Sequence, residues 1–171
     1  MGRPKSCACG HAPFIVHVSP PMQRLAILVF AAVVSIAATA GAWGEGSFDN
    51  DDARDWVGQC TNRGSPSLVA ATLSKALGPG EIDAADGSTA VAAAEVVAAA
   101  NGHPSPHLPR ALASWLERQS KGELAELSPL ARRALARVKD PKISELAQLW
   151  QEAKSSGWPH RIDELVGRLA K

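Results

Sequence analysis

The sequence predicts an all-α protein: a compact multi-helix bundle of about six to seven short helices around a central Ala/Val-rich helix, preceded by an N-terminal apolar signal segment. Three observations carry that prediction. The chain of 171 residues is 46% hydrophobic, but Ala supplies much of this, Tyr is absent, and β-branched clusters are few outside one apolar run. Apolar residues recur at i, i+3, i+4 and i+7 along most of the chain, which is the helical period. Finally, Pro109, Pro129, Pro141 and Pro159 each stand where such a pattern opens. Proline is favoured at the first helical position because its missing N–H has no acceptor to lose there.

The first forty residues differ from the rest. They hold three of the 18 Lys and Arg (Arg3, Lys5, Arg24) and none of the 17 acids, so the remainder carries 15 basic against 17 acidic residues. A near-neutral body gives no reason to expect nucleic acid as a partner. From Met22 the order is that of a secretory signal: Met22-Gln23-Arg24, an apolar core from Leu25 to Ala37, then Ala38-Thr39-Ala40, with a cut expected before Gly41. The apolar run is short for a membrane span of about 20 residues, and an uncleaved anchor over residues 25–40 is the alternative. Residues 1–21, with CACGH and several prolines, read as an extension or a misassigned start. Cys7, Cys9 and His11 lack the fourth ligand and the second ligand pair that a zinc site uses. A true start inside the apolar run would remove the signal and leave a cytoplasmic protein. The expected division is therefore 1–21, 22–40 and an all-helical domain over 41–171, exported if the signal is real.

Seven helical segments follow in the body. The first covers about Asp51 to Cys60, capped by Asp49 or Asn50, with Ala53, Trp56, Val57 and Cys60 on one face. The second covers about Ser67 to Leu77, with Val69, Leu73, Ala76 and Leu77 inward. GPGEIDAADG reads as a loop by its Gly, Pro and Asp content. The third, Thr89 to Asn101, is TAVAAAEVVAAAN, apolar all round except for Glu95, the pattern of a buried central helix. After the proline-broken connector NGHPSPHLP, the fourth starts with Pro109 and carries Leu112, Trp115 and Leu116. The fifth is capped by Ser128 and turns Leu130, Ala134, Leu135 and Val138 inward. The sixth is capped by Asp140, with Ile143, Leu146, Leu149 and Trp150 inward. The seventh begins near Pro159, with Ile162, Leu165, Val166 and Leu169 inward.

No catalytic set, cofactor fingerprint or metal site assembles from these residues. The acid block Asp49, Asp51, Asp52 and Asp55 fails as a calcium loop, because positions five, six and twelve from Asp49 are Ala53, Arg54 and Cys60. A capped helix start with solvated acids accounts for it. Gly44 and Gly46 form a lone G-x-G with no preceding strand, and read as a tight backbone turn beside Trp43 and Phe48, a plug for the bundle. Glu95 on an all-apolar helix must be paired or protonated. Its structural reading is a partner such as an Arg, backbone N–H groups or a Trp N–H; its functional reading is a general base. His103 and His107 are kept off one helix face by Pro104 and Pro106. Arg132, Arg133 and Arg137 form a basic stripe, too sparse in charge and aromatics for nucleic acid. Cys60, on an apolar face, reads as an inert buried thiol.

The block GAWGEGSFDNDDARDW resembles the N-terminal signature of a mainly bacterial family, the domain of unknown function numbered 4259. The match runs through Gly41, Ala42, Trp43, Gly44, Gly46, Phe48, Asp49, Asn50, Asp51, Ala53, Asp55 and Trp56. A second hallmark resembles AAAEVVAA, Ala92 to Ala99, centred on Glu95, and weaker likeness continues through LPRALASWL and SELAQLW. The resemblance implies a boundary near residue 41 and no mechanism. Members typically start Met-Gly-Ala-Trp-Gly, with Met where Ala40 stands here. Trimming of that Met and signal cleavage after Ala40 leave the same Gly41 terminus. This suggests a structural role for the Gly41 amine, paired with Glu95 or the acid block, which one added residue before Gly41 would disrupt.

Two functions from different classes are expected. The first is a non-enzymatic helical module that binds another protein. The second is a hydrolase or lyase using Glu95 with the acid block, which requires those carboxylates to converge in one pocket.

Overall fold

A helix without a polar stripe is stable only when other elements surround it. That requirement organises the computed structural model, which describes residues 44–170 of the unit Ala40–Lys171. The elements are α1 (Asp51–Arg63), α2 (Pro66–Lys75), α3 (Ala84–Ala100), α4 (Arg110–Leu116), α5 (Lys121–Ala125), α6 (Ser128–Val138), α7 (Glu145–Glu152) and α8 (Gly157–Arg168). Every residue of α3 from Ala90 to Ala99 is buried, and α3 touches each of the seven other helices. Alanine makes this arrangement feasible, since its short side chain lets neighbouring helix backbones approach from all sides. No β-strand forms among the described residues, and no described helix is long and apolar enough to cross a membrane. Residues 1–43, which hold the signal or anchor segment and the Cys7, Cys9 and His11 cluster, lie outside the described residues.

The inward faces follow the sequence pattern closely. Ala53, Trp56 and Cys60 of α1, Val69 and Leu73 of α2, Leu112, Trp115 and Leu116 of α4, and Ile162 and Leu165 of α8 all enter one core. The Trp56 indole N–H donates to Thr72 Oγ1 at 2.9 Å, so its polar edge is satisfied where α1 crosses α2.

Several expected boundaries move, each for a local reason. The central helix starts at Ala84 instead of Thr89, so the last four residues of the expected loop GPGEIDAADG are helical. Asp83 caps it by accepting from the Asp86 N–H at 2.6 Å, and Glu145 accepts from the Ala84 N–H at 2.8 Å. Gly87 sits inside this helix because a Cβ there would meet Leu146 Cβ at 3.1 Å. The glycine that looked like a loop signal is thus a contact point for α7.

The start of α7 shifts the other way. Ile82 donates to the Ile143 carbonyl at 2.7 Å and accepts from the Glu145 N–H at 2.9 Å, an isolated parallel bridge. That pairing holds the chain extended at Ser144, which becomes the N-cap in place of Asp140, and Pro141 lies in the preceding turn. Pro109 is the N-cap of α4, Pro129 sits in the first turn of α6 behind a cap at Leu127, and Ser156 caps α8. Proline is tolerated throughout a first turn, whose N–H groups have no intrahelical acceptor, so its signal marks a start only approximately. The five-residue α5 was not expected. It contributes Leu124, which is fully buried. Leu149, expected inward, is exposed at 37%; Trp150 beside it stacks on Trp158 with centroids 6.2 Å apart.

Candidate functional site

The signature residues build a turn before they build a helix. Asp49 accepts from the Gly46 N–H at 3.0 Å, while the Asp49 N–H donates to the Gly46 carbonyl at 3.1 Å. A Cβ on either Gly44 or Gly46 would fall 2.4 Å from Asp49 Oδ2. These glycines are therefore needed because a carboxylate folds over them, and Gly46 does not adopt a positive φ. Asn50, not Asp49, is the helix cap: its side chain accepts from the Ala53 N–H at 2.8 Å. Phe48 is buried as expected of a plug residue, whereas Gly41 and Trp43 lie outside the described residues.

Behind this turn lies Glu95, only 3% exposed. Arg168, from the last turn of α8, grips it bidentately, with Nη1 to Oε2 at 2.8 Å and Nη2 to Oε1 at 2.7 Å. The Ser47 hydroxyl donates to the same Oε1 at 2.8 Å. Arg168 Nη1 also donates to the His103 carbonyl at 3.1 Å. One buried carboxylate thus ties together the signature turn, the central helix, the proline-rich connector and the last helix. Forked, charge-assisted geometry of this kind offsets the cost of burying the charge.

Beside this clasp opens a cleft of about 560 Å³, reached by Glu45, Ser47, Asp49, Arg161 and Arg168. Glu45 arches over the N-terminus of α8, where its carboxylate is favoured by the helix dipole. It accepts from Ser155 and lies 3.7 Å from Arg161 Nε. Exposed His107 and Glu164 border the same cleft. A Cβ at Gly157 would collide with Glu45, which explains the glycine at the first position of α8.

The structure divides the remaining expected residues. Of the acid block, Asp49 alone shares the cleft with Glu95. Asp52 and Asp55 open into a different depression beside Trp56, Lys75 and Asp86, and Asp51 is exposed, 3.5 Å from Arg54. Among the described residues, no group of three or more His, Cys, Asp or Glu is disposed to hold a metal ion. The basic stripe also separates. Arg132 and Arg133 are exposed, but Arg137 turns under the α2–α3 loop and donates to the Gly78 and Gly80 carbonyls at 2.6 and 2.8 Å. Cys60 is buried and unpaired, and burial pushes its thiol from 9.0 up to about 12. Glu45, Ser47, Arg161 and Arg168 were missed as site residues. Arg168 stands 73 residues from Glu95, and nothing local to it distinguishes it from an ordinary last-turn cation.

The profile of the family described as Domain of unknown function (DUF4259) matches residues 41–160. The chain belongs to that family. Neither a curated protein nor a solved structure gives a match. The DUF4259 match begins at Gly41, where the signature block begins, and includes both motifs. Arg168 lies beyond the matched span, so in this chain the signature acid is completed by a residue outside it.

Proposed function

We propose that this chain is a non-enzymatic helical module that binds another protein. What supports the reading is Glu95. It is the buried carboxylate at the centre of the signature, and both of its oxygens are occupied, by Arg168 and Ser47. A group so fastened organises a surface instead of collecting a proton from a substrate. The cleft in front of it is open and bordered by exposed charges of both signs, Arg161 and Glu164, with His107 between chain segments. Mixed charge on a solvent-facing rim suits the polar segments of a polypeptide, and it steers association and excludes wrong partners.

The test begins with crosslinking of the full-length chain in its native cells and purification of the captured partner. Titration of the two purified proteins should give saturable binding of fixed stoichiometry. The double reversal Arg161→Glu/Glu164→Lys, both exposed, should weaken it by at least about tenfold, with a cooperative melt showing that the variant is folded. Binding that never saturates would refute the reading. Turnover of a substrate that disappears in a folded Glu95→Gln variant would favour the hydrolase or lyase alternative, in which Glu95 acts with Asp49. We infer further that the domain is exported, on the strength of the signal-like order of residues 22–40. N-terminal sequencing of the native protein tests this: a chain starting at Gly41 supports export, and one starting at Met1 or Met22 refutes cleavage.

A further inference from the structure

On a different face, α6 and α8 diverge and leave an open groove of about 680 Å³. Buried Leu135 and Ile162 underlie it, and exposed Pro129 and Ala136 with half-buried Val166 supply its apolar surface. Its α6 edge is cationic. Arg132 and Arg133 are exposed and make no ion pair or side-chain hydrogen bond among the described residues. Lys139 pairs with Asp163 across one end, so the groove retains an excess of two positive charges. Apolar surface beside two unpaired guanidinium groups calls for an occupant with apolar side chains on one face and carboxylates next to them.

We propose that this groove docks an acidic amphipathic helix of a partner protein, laid along α6 and α8 with its apolar face inward and its Asp or Glu residues against Arg132 and Arg133. The proposal rests on the reading of the domain as a protein-binding module and adds a second surface with a defined partner chemistry. Charge complementarity selects this occupant. The chain's own residues 1–40 are apolar but hold no acid, so they lack the complement to the arginines. Nucleic acid matches the arginines but not an apolar surface, and it would want more charge and exposed aromatics. A helix presents its side chains at i, i+3, i+4 and i+7 and fills a groove of this kind from one face.

The probe is a labelled synthetic helix about five turns long, Leu on one face and Glu on the other, with a matched peptide carrying Lys in place of Glu. Full-length chain should bind the Glu peptide with one-to-one saturation and the Lys peptide at least about tenfold more weakly. Amide shifts on binding should concentrate in residues 129–139 and 162–166. Arg132→Glu/Arg133→Glu should cost at least about tenfold in affinity, while Arg63→Glu/Lys121→Glu, the same charge change elsewhere, should cost less than about twofold. All four positions are exposed, so folding is preserved and is checked by thermal melts. Absence of saturation at millimolar peptide, equal loss in the two double variants, or shifts confined to the Glu95 cleft would overturn the proposal. Tighter Arg132/Arg133-dependent binding to duplex DNA or to phosphatidylglycerol vesicles than to the peptide would also overturn it, as would groove-dependent self-association. The peptide result and the native-partner result are separate: a partner whose binding depends on Arg161 and Glu164 but not on Arg132 and Arg133 leaves the module reading intact.

Discussion

Replacing Arg168 by Met removes the only cation gripping Glu95 among the described residues and leaves a carboxylate that is 3% exposed, with Ser47 still donating to it. Stripping one partner from a buried ion pair costs about 3–5 kcal/mol. Arg168 itself is 24% exposed at the edge of an open cleft, so water reaches the vacated space and the lower end, about 3 kcal/mol, applies. For a folded part of this length, each kcal/mol moves the midpoint by about 3–4 °C, so Arg168→Met should melt about 10 °C below the parent. Glu95→Gln keeps the shape and an acceptor for Ser47 and one arm of Arg168, and should cost about 1–2 kcal/mol. The double variant carries no stranded charge, so the losses should fall short of additivity by about 1–2 kcal/mol. The assay is helical circular dichroism of the full-length chain, followed through heat and urea. An Arg168→Met protein melting within about 2 °C of the parent, or strictly additive losses, would refute the clasp as a stabilising element.

Three further outcomes follow from the geometry. Gly46→Ala places a Cβ 2.4 Å from Asp49 Oδ2, and should cost about 1–3 kcal/mol in the same melts; an unchanged melt would show that the turn relaxes freely. Gly58→Ala and Gly167→Ala lie within helices with nothing within 4 Å of the new methyl, and each should gain about 0.5–1 kcal/mol. Cys60 should resist Ellman's reagent at pH 8 in a Cys7→Ser/Cys9→Ser background and react only on unfolding, since burial holds its thiol at about 12. Because the unfolded thiol ionises near 9 and the folded one near 12, the unfolded state releases its proton first as pH rises. The contribution is complete below pH 9 and is lost between 9 and 12, a slope that Cys60→Ala should reduce.

The helical core was readable because its signals are local and periodic. TAVAAAEVVAAAN has no polar face, and α3 is buried on all sides. The need to neutralise Glu95 was equally plain, since no polar neighbour shares its helix turn. Its partner was not, because Arg168 meets it only through tertiary packing. Boundaries failed where another segment competes for backbone groups, as Ile82 does at Ser144, or supplies a cap, as Glu145 does at Ala84. Gly87 shows the same limit from the other side. Its missing Cβ answers to Leu146 of α7, and no window around residue 87 contains that information. Splitting of the arginine stripe likewise depends on where the Gly78 and Gly80 carbonyls lie.

The Glu95 clasp also sets an order on events during synthesis. Ser47 and Glu95 leave the ribosome well before Arg168, which follows Glu95 by 73 residues. Until then α3 carries a carboxylate without its counter-charge, and the helix that every other helix packs against cannot be sealed at low cost. The nascent domain therefore stays unlatched until α8 has been made. Because the clasp joins the first described turn to the last described helix, it closes only after every helix between them has been made, and it locks an assembled bundle instead of nucleating one.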